Sequence, residues 1–492
     1  MHGDDAGVRT DDSGPLIGIL VVAYNAERTL EATLDRIPPD FRPHIAEIIV
    51  ADDASGDDTA AAGVRWRSSH PDLATTVVRH LENRGYGGNQ KAGYRLAIDR
   101  GLDVVVLLHG DGQYAPEVLP ELVAPIVDGR ADAVFGSRML EPGAARRGGM
   151  PLYKYVGNKV LTRIENGLLG TDLSEFHSGY RAYSTAALAR LPFEHNTDDF
   201  DFDTQIIVQL VDSGARIVEV PIPTYYGDEI CHVDGIKYAR DVVRDVVEYR
   251  ASKAGFGTSR WIANPPEYGL KEEADSSHEV ICEWLARGPG LKVLDVGCSA
   301  GHLAAKLRAL GHYVVGVDRD ELAGVRDRVD DFVRADLEAG VPDFTGGGFD
   351  VVVAADVIEH VREPIRLLQQ LGATVGPAGR LLVSTPNFGH WYPRLRALTG
   401  TFDYDRRGIL DATHVRFFTR RGFLRTVREA HLAVEQLTYT GLPLSAVGAG
   451  AGKLAGAVRA FDRALVHARP TLFGYQFVAV LRPRNLTSDI TA

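Results

Sequence analysis

The chain has 492 residues, of which 45% are hydrophobic and 24% charged, and its formal net charge is -12. A compact domain usually has about 100 to 250 residues, so this length predicts two substantial domains of ordinary globular composition. The acidic balance argues against a large surface for nucleic acid. No apolar run reaches the roughly 18 residues that span a bilayer, and the polar N-terminus lacks a signal-peptide pattern.

The three cysteines are too few and too scattered for a disulfide framework or a zinc site. Cys231, Cys282 and Cys298 therefore fit a reducing compartment. We expect a cytoplasmic protein without a transmembrane segment, and contact with a membrane surface stays open.

Short apolar runs alternate with helical stretches from Leu16 onward. Apolar runs of this kind are typical of buried parallel strands, and the alternation predicts a doubly wound α/β sheet. The predicted strands are Leu16–Ala23, Ala46–Ala51, Thr75–Val78 and Asp103–Leu108, and the predicted helices include Glu27–Arg36 and Gly88–Asp99.

The alternation stops in a stretch rich in Gly, Ser, Pro and mixed charge, residues 252–277, and then resumes. Before this stretch, Ile236–Arg250 is predicted to be a helix that caps the first domain, with a membrane-surface helix as the alternative. We expect domains at 15–228 and 277–484, joined by a helix and linker at 229–276. The predicted strands of the second domain are Leu291–Asp295, Tyr313–Asp318, Asp350–Ala354, Arg380–Ser384 and Phe477–Leu481.

Polar residues follow three of the predicted strands in the first domain. Ligands of open α/β sheets bind outside the carboxyl ends of the strands. One such turn alone would indicate a helix cap, but three favour a nucleotide-sugar site, in which a divalent ion neutralises a diphosphate leaving group. The residues are Tyr24 and Glu27 after the first strand, Asp52 and Asp53 after the second, and His109, Asp111 and Gln113 after the fourth.

These segments resemble the inverting family 2 glycosyltransferases of GT-A fold, closest to the dolichyl- or polyprenyl-phosphate mannosyltransferase-like branch. The resemblance covers Pro15–Asp228. It implies that Tyr24, Glu27 and Asp53, with Asp52 beside them, bind the nucleotide. It also implies that Arg138 and Arg181 face phosphate. The matching segments are Ala23–Glu27, Asp52–Thr59, Asn83–Ala97, Asp111–Glu117, Gly136–Arg138 and Ser178–Ser184.

The resemblance implies that Asp111 and Gln113 bind the metal, manganese or magnesium, with His109 where the family usually carries Asp. A domain that binds nucleotide-sugar without turning it over is therefore an alternative. The acceptor is a hydroxyl or a polyprenyl phosphate. A hydroxyl needs a general base, for which Asp201 and Asp203 are candidates; they alternate with Phe and are expected on one face of an extended segment. A solvated acidic loop is the alternative.

The second domain opens with an apolar strand, a tight glycine turn and a helix, Val293–His302. Asp318 ends the next strand, 21 residues after Gly297 (318 - 297). An acid at this position can bind a ribose, in a dehydrogenase as well as in an adenosyl-binding enzyme. Two further acidic markers, Asp336 in VRADL and Asp356 in DVIEH, disfavour a dehydrogenase.

This set resembles the class I S-adenosylmethionine-dependent methyltransferases over Ser277–Arg482. It implies that the methionine end of the cofactor lies against the glycine turn, and that Asp318 binds the ribose and Asp336 the adenine. The base that removes the acceptor proton is predicted to be His414, with His390 as the runner-up. The predicted cofactor-binding residues are Asp295, Gly297, Gly301, Asp318, Asp336 and Asp356.

The leading hypothesis is a bifunctional enzyme with two Rossmann-like domains. The first transfers a sugar with inversion, and the second methylates a hydroxyl in glycan, lipid-linked sugar or secondary-metabolite biosynthesis. The alternatives are a methyltransferase with a non-catalytic nucleotide-sugar-binding domain, and a membrane-surface scaffold.

Overall fold

The computed structural model describes residues 14–225, 234–257, 276–288, 290–344, 348–405, 407–443 and 453–484. In the last of these ranges, side chains are described from residue 456 onward. These residues divide into two compact units, one ending at Tyr249 and the other beginning at Arg250. Most of the predicted linker, together with Cys231, lies outside the described residues.

The strands described in the first unit form one mixed sheet in the order β3-β2-β1-β4-β6-β5-β7. β1 to β4 are mutually parallel, and β6 is antiparallel to both of its neighbours. The strands are β1 (Ile17–Ala23), β2 (Ile45–Asp52), β3 (Thr75–Arg79), β4 (Val104–His109), β5 (Ala133–Ser137), β6 (Arg181–Ser184) and β7 (Ile217–Pro221).

Helices cover both faces of this sheet, because side chains alternate along each strand. Ile19 and Val21 of β1 belong to one core, whereas Leu20 and Val22 belong to the other. The helices are α1 (Leu30–Asp35), α2 (Thr59–Ser69), α3 (Gly85–Asp99), α4 (Leu119–Val127), α5 (Ala144–Arg147), α6 (Leu152–Leu169), α7 (Thr185–Leu188), α8 (Phe202–Asp212) and α9 (Gly235–Lys253), which ends in the second unit.

The second unit contains a sheet of order β10-β9-β8-β11-β12-β14-β13. β8 to β12 run parallel, and β14 is inserted antiparallel between β12 and β13. The strands are β8 (Lys292–Val296), β9 (Tyr313–Asp318), β10 (Asp331–Arg334), β11 (Phe349–Ala355), β12 (Val375–Pro386), β13 (Leu432–Tyr439) and β14 (Gln476–Pro483). The helices are α10 (Ser277–Leu285), α11 (His302–Ala309), α12 (Val325–Arg328), α13 (Pro364–Thr374), α14 (Trp391–Leu398), α15 (Arg420–Glu429), α16 (Lys453–Ala468) and α17 (Pro470–Phe473).

The predicted strands are confirmed, whereas β5, β6, β7, β10 and β13 were not predicted. β6 has only 4 residues, and β7 is half-buried along most of its length, so neither has a long apolar run. The helix predicted at Ile236–Arg250 is α9, which packs through Val242, Val246 and Tyr249. Ile236 and Val247 of the same helix are exposed. None of the described helices is both long enough and apolar enough to cross a membrane.

Substitution of two glycines in helices distinguishes the effect of core packing on stability from the effect of helix propensity. A Cβ on Gly93 of α3 would lie 2.3 Å from Cδ2 of the fully buried Leu20, whereas Gly167 of α6 has nothing within 4 Å. We expect Gly93→Ala to lower the free energy of unfolding by about 1 to 3 kcal/mol through overpacking. Gly167→Ala, the control, should leave it unchanged or raise it by up to about 1 kcal/mol. Equal effects in chemical denaturation would contradict the packing described.

Candidate functional sites

A cleft of about 1640 Å³ opens at the carboxyl ends of β1, β2 and β4 in the first unit. It brings together side chains that are far apart in sequence. The predicted site residues that line it are Tyr24, Asp53, His109, Asp111, Gln113, Arg138 and Asp203.

The loops after β1 and β2 are hydrogen-bonded to each other beside the cleft. The N–H of Asn25 donates to Oγ of Ser55 (2.9 Å), and Oδ1 of Asn25 accepts from the N–H of Gly56 (3.0 Å). The N–H of Ala26 donates to Oγ1 of Thr59 (2.8 Å). This double loop presents Tyr24, which is 51% exposed.

The paired acids after β2 have different surroundings. Asp53 lines the cleft, and its Oδ1 accepts a hydrogen bond from the N–H of Arg84 (2.7 Å). Asp52 is fully buried: its carboxylate accepts from the N–H and hydroxyl of Ser55, and Nε of Arg79 lies 3.4 Å away. The structure therefore turns Asp52 away from the cleft and into the loop after β2, where it binds Ser55; it does not cap α2, whose N-cap is Asp58. Glu27 is exposed and lies outside the lining of the cleft.

The predicted metal ligands share one turn after β4. Oδ1 of Asp111 accepts from the N–H of Gln113 (3.0 Å), and both side chains line the cleft. The His109 ring packs edge-on against Tyr114 and Tyr86 at 4.9 and 5.6 Å. Burial lowers the pKa of His109 despite the nearby carboxylates, so the imidazole is neutral, which is the form that binds metals. Carboxylate and amide oxygens with a neutral imidazole fit a divalent ion such as manganese.

Arg138 lines the cleft but is held by a buried acid. Its Nε donates to Oε1 of Glu175 (3.0 Å), and its own N–H donates to Oε2 (2.7 Å). Burial alone would raise the pKa of Glu175, but the Arg138 guanidinium and the amide of Asn158 hold it below its ordinary value. The two side chains therefore form a neutral ion pair that fixes the position of Arg138 in the wall of the cleft.

Arg181 does not face the cleft, contrary to the expectation that it meets phosphate. It is 1% exposed, and its guanidinium lies 4.9 Å from the Phe135 ring. The reason is local: β6 points this side chain into the core, where backbone carbonyl oxygens accept its hydrogen bonds. Those oxygens belong to Ser178 (2.7 Å), Phe176 (2.8 Å) and Asp203 (3.0 Å).

The acidic run near 200 is helical at its end, so the prediction of an extended segment is wrong. Asp201 is the N-cap of α8, and its Oδ1 accepts from the Thr197 hydroxyl (2.6 Å). Asp203, in the first turn, lines the cleft and accepts from the hydroxyl of Tyr86 (2.9 Å). Helical periodicity separates residues two apart, which is why only one of the two acids reaches the cleft.

Tyr86 also lines the cleft, and so does Asp198 at the start of the acidic run near 200. Tyr86 lies in the segment Asn83–Ala97, which carries part of the family resemblance, but the sequence pattern does not single out its side chain. Asp198 pairs with Lys91 of the same segment (2.6 Å).

In the second unit, the turn after β8 contains two glycines, which would let a ligand come close to the backbone. Gly297 and Gly301 have φ of +71° and +78°, and a Cβ on Gly297 would lie 2.7 Å from Cγ2 of Val357. Asp295 is buried, and its Oδ2 has no hydrogen-bond partner within the part of the chain that the structure describes. Burial, together with the nearby Asp318, raises the pKa of Asp295 to about 7. The glycine turn leaves room for a ligand beside the backbone, and the buried carboxyl group of Asp295 could pair with a cationic group. Both features fit the amino-acid end of S-adenosylmethionine.

The three further acids of this site occupy successive strand ends. Oδ2 of Asp318 accepts from the N–H of Ser299 (2.8 Å), which ties β9 to the glycine turn. Asp336 is exposed, and its Oδ1 accepts from the N–H of Glu338 (3.0 Å). Oδ1 of Asp356 accepts from the Ser384 hydroxyl (2.7 Å) and from Nε2 of Gln476 (2.8 Å), so it also joins β11 to β12 and β14.

The two candidate bases are both buried, but their neighbours differ. His390 is fully buried and caps α14, and burial lowers its pKa to about 4. His414 is 8% exposed, and its ring centroid lies 4.8 Å from that of His360. Burial, with a contribution from His360, lowers the pKa of His414, so this imidazole is neutral near pH 7. His414 is therefore the one of the two that lies beside other polar side chains of the site.

The raised pKa of Asp295 predicts how stability depends on pH. Between about pH 4 and 7 the native state keeps a proton that the unfolded state releases, so stability falls as pH rises across this window and is level above it. Asp295→Asn removes this dependence. We expect its thermal unfolding temperature to match wild type near pH 4 and to exceed it by a growing margin up to about pH 7. The exposed Asp336→Asn is the control, and a difference independent of pH for Asp295→Asn would contradict the assignment.

Comparison with known proteins identifies both halves of the chain. Residues 18–191 match the family described as Glycosyl transferase family 2, and residues 266–437 match the family described as Methyltransferase domain. The chain is 31% identical over 208 residues to the undecaprenyl-phosphate mannosyltransferase of Micrococcus luteus, covering 41% of this chain and 81% of that protein. It is 28% identical to the UDP-N-acetylglucosamine–dolichyl-phosphate N-acetylglucosaminyltransferase of Methanococcus voltae, covering 43% and 86%.

The second half is similar to a different enzyme. It is 31% identical over 170 residues to the ubiquinone biosynthesis O-methyltransferase of Burkholderia pseudomallei, covering 32% of this chain and 72% of that protein. The chain is therefore a two-domain transferase that belongs to glycosyl transferase family 2 through its N-terminal half and to the methyltransferase family through its C-terminal half.

Proposed function

We propose that the first unit transfers a sugar, with inversion, from a nucleoside diphosphate donor to a polyprenyl phosphate, and that the second unit methylates a hydroxyl of a compound in the same pathway with S-adenosylmethionine. The observation that carries the first half is the convergence of Tyr24, Asp53, Asp111 and Gln113 in one cleft after three different strands. The domain bounds proposed remain 15–228 and 277–484.

The donor is proposed to lie with its nucleoside against Tyr24 and Asp53 and its diphosphate near the turn after β4. Asp111 and Gln113, with the neutral His109, would hold manganese or magnesium. The ion supplies positive charge to the departing diphosphate. UDP is the favoured donor nucleotide because one of the relatives is named for a UDP-sugar.

A lipid-linked acceptor is supported by an exposed apolar stripe on α6. Leu152, Val156, Val160 and Ile164 recur every four residues and are 38 to 62% exposed, so they share one face of the helix. Val160 also lines the cleft, as does Lys154, whose ammonium suits a phosphate. Both glycosyltransferase relatives are named for polyprenyl-type phosphates.

The nature of the acceptor decides the role of Asp203. An ionised phosphate oxygen attacks the sugar without losing a proton, so no general base is needed and Asp203 would orient Tyr86. With a hydroxyl acceptor, Asp203 is the carboxylate in the cleft proposed to take the proton. Asp201, bound to Thr197 and outside the lining of the cleft, is not proposed for this role.

In the second unit, we assign the methionine end of the cofactor to Asp295, Gly297 and Gly301, the ribose to Asp318 and the adenine to Asp336. The acceptor oxygen attacks the methyl carbon and forms the new O–C bond. The S–C bond breaks, its electron pair stays on sulfur, and the sulfonium becomes a neutral thioether. The hydroxyl proton leaves on the side of the loop that carries His414.

The cytoplasm is proposed as the compartment. Cys282 and Cys298 are free and buried, and burial raises the pKa of Cys282 to about 11. Burial likewise raises the pKa of Cys298, so neither thiol has the character of a nucleophile.

Metal-dependent donor binding tests the first unit. In isothermal titration with UDP and manganese, we expect Asp111→Asn to weaken binding at least tenfold, because a charged ligand of the ion is lost. His109→Asp should tighten manganese-dependent binding, since carboxylate is the better ligand for a hard ion. Asp128→Asn, an exposed acid that pairs with Arg130, is the control.

Donor hydrolysis separates catalysis from binding alone. If the wild type binds UDP but hydrolyses no donor, and His109→Asp does hydrolyse it, the first unit is a nucleotide-sugar-binding module. If Asp111→Asn binds UDP with manganese as tightly as wild type, the proposed ion site is wrong.

The stripe on α6 is tested by flotation with vesicles. We expect the wild-type chain to float with vesicles that contain an anionic lipid and polyprenyl phosphate, and the triple variant Val156→Ser, Val160→Ser and Ile164→Ser to lose most of this binding. Val64→Ser with Val127→Ser removes exposed valines elsewhere and is the control. Equal flotation of both variants would remove α6 as the lipid contact.

A further inference from the structure

We propose that Glu359, His360 and His414 bind one divalent cation beside the proposed methyl-transfer site. One nitrogen or oxygen atom from each side chain lies within 4.8 Å of the others, and no other His/Cys/Asp/Glu trio in the described ranges comes so close. At metal–ligand distances of about 2.0 to 2.2 Å, ligands of one ion lie roughly 3 to 4.4 Å apart. Small side-chain movements would therefore close the set around an ion.

Both histidines make a backbone contact of the kind that metal-binding histidines usually make. Nδ1 of His360 lies 3.3 Å from the carbonyl oxygen of Thr413, and Nδ1 of His414 lies 3.3 Å from that of Ile409. A carbonyl oxygen only accepts, so each Nδ1 carries the hydrogen and each Nε2 keeps its lone pair. This second contact fixes the tautomer and ring direction, as it does around known metal sites.

The backbone holds the two contributing segments together. The carbonyl oxygen of Glu359 accepts from the N–H groups of Val415 (2.9 Å) and Arg416 (3.0 Å), directly after His414. The Glu359 side chain is 1% exposed.

The trio lies one loop away from the glycine turn proposed to hold the cofactor. Val357, two residues before Glu359, is the side chain that a Cβ on Gly297 would meet at 2.7 Å. The same loop begins at Asp356, which Ser384 and Gln476 anchor. The cation would therefore be close to where a methyl acceptor must lie.

The ligand chemistry points to the acceptor class. One carboxylate oxygen and two imidazoles suit manganese, cobalt, iron or zinc, and three protein ligands leave positions open for oxygen atoms of a substrate. We infer an acceptor with two neighbouring oxygens, such as the vicinal diol of a sugar. This part rests on the proposed methyl transfer, and it makes His414 a ligand, so that the hydroxyl proton leaves to solvent.

The test titrates manganese and, separately, zinc into the metal-free full chain carrying Asp111→Asn, which removes the ion site proposed in the first unit. We expect one bound equivalent of at least one metal. Glu359→Gln and His414→Asn, each added to that background, should weaken it at least tenfold. His431→Asn is the control, because His431 is exposed and its φ of +59° is one that asparagine tolerates.

Adenosylhomocysteine binding to each variant reports that the second unit is folded and keeps the metal question separate from the methyltransferase proposal. The metal site is overturned if the parent binds neither metal, or if Glu359→Gln and His414→Asn bind as tightly as His431→Asn. Loss of adenosylhomocysteine binding by the parent would instead overturn the proposed cofactor.

Discussion

The arrangement of both candidate sites depends on one constraint: parallel strands of a sheet end at the same edge. β1, β2 and β4 in the first unit, and β8, β9 and β11 in the second, bring loops that are far apart in sequence to a common edge. Each loop adds only two or three polar side chains at most. The sites exist because these loops share a direction, since no single segment carries enough polar groups to bind a nucleotide.

Backbone strain collects at these strand ends. Among the described residues, five residues other than glycine have left-handed φ angles, and four of them follow these strands: Asn25 after β1, Ala54 after β2, Ser299 after β8 and Asp356 after β11. A left-handed non-glycine residue costs roughly 1 to 2 kcal/mol. The surrounding hydrogen bonds offset that cost, as those of Asp356 with Ser384 and Gln476 illustrate. The chain turns sharply at these points and points its side chains toward the edge where a ligand would bind.

Buried charges in the first unit stabilise this edge of the sheet. Arg181 carries no exposed surface for phosphate, yet it ties the segment before β6 to the start of α8 through carbonyl oxygens. Asp203 lies at the end of this series of contacts, and its carboxylate accepts a hydrogen bond from the hydroxyl of Tyr86 in the cleft. Removing such an arginine would leave several buried acceptors unsatisfied. Loss of activity in an Arg181 variant would therefore indicate a damaged structure rather than the loss of a catalytic group.

The sequence by itself determined the fold class, the long buried strands and the two families, because apolar runs and glycine turns are local patterns. It also placed Asp53, Asp111 and Asp295 at strand ends. Only the tertiary structure separated Asp53 from Asp52 and Asp203 from Asp201, since neighbours along a chain point in different directions once a turn or a helix forms. The same holds for Glu359, His360 and His414: 54 residues separate the two histidines (414 - 360), and only folding brings them together.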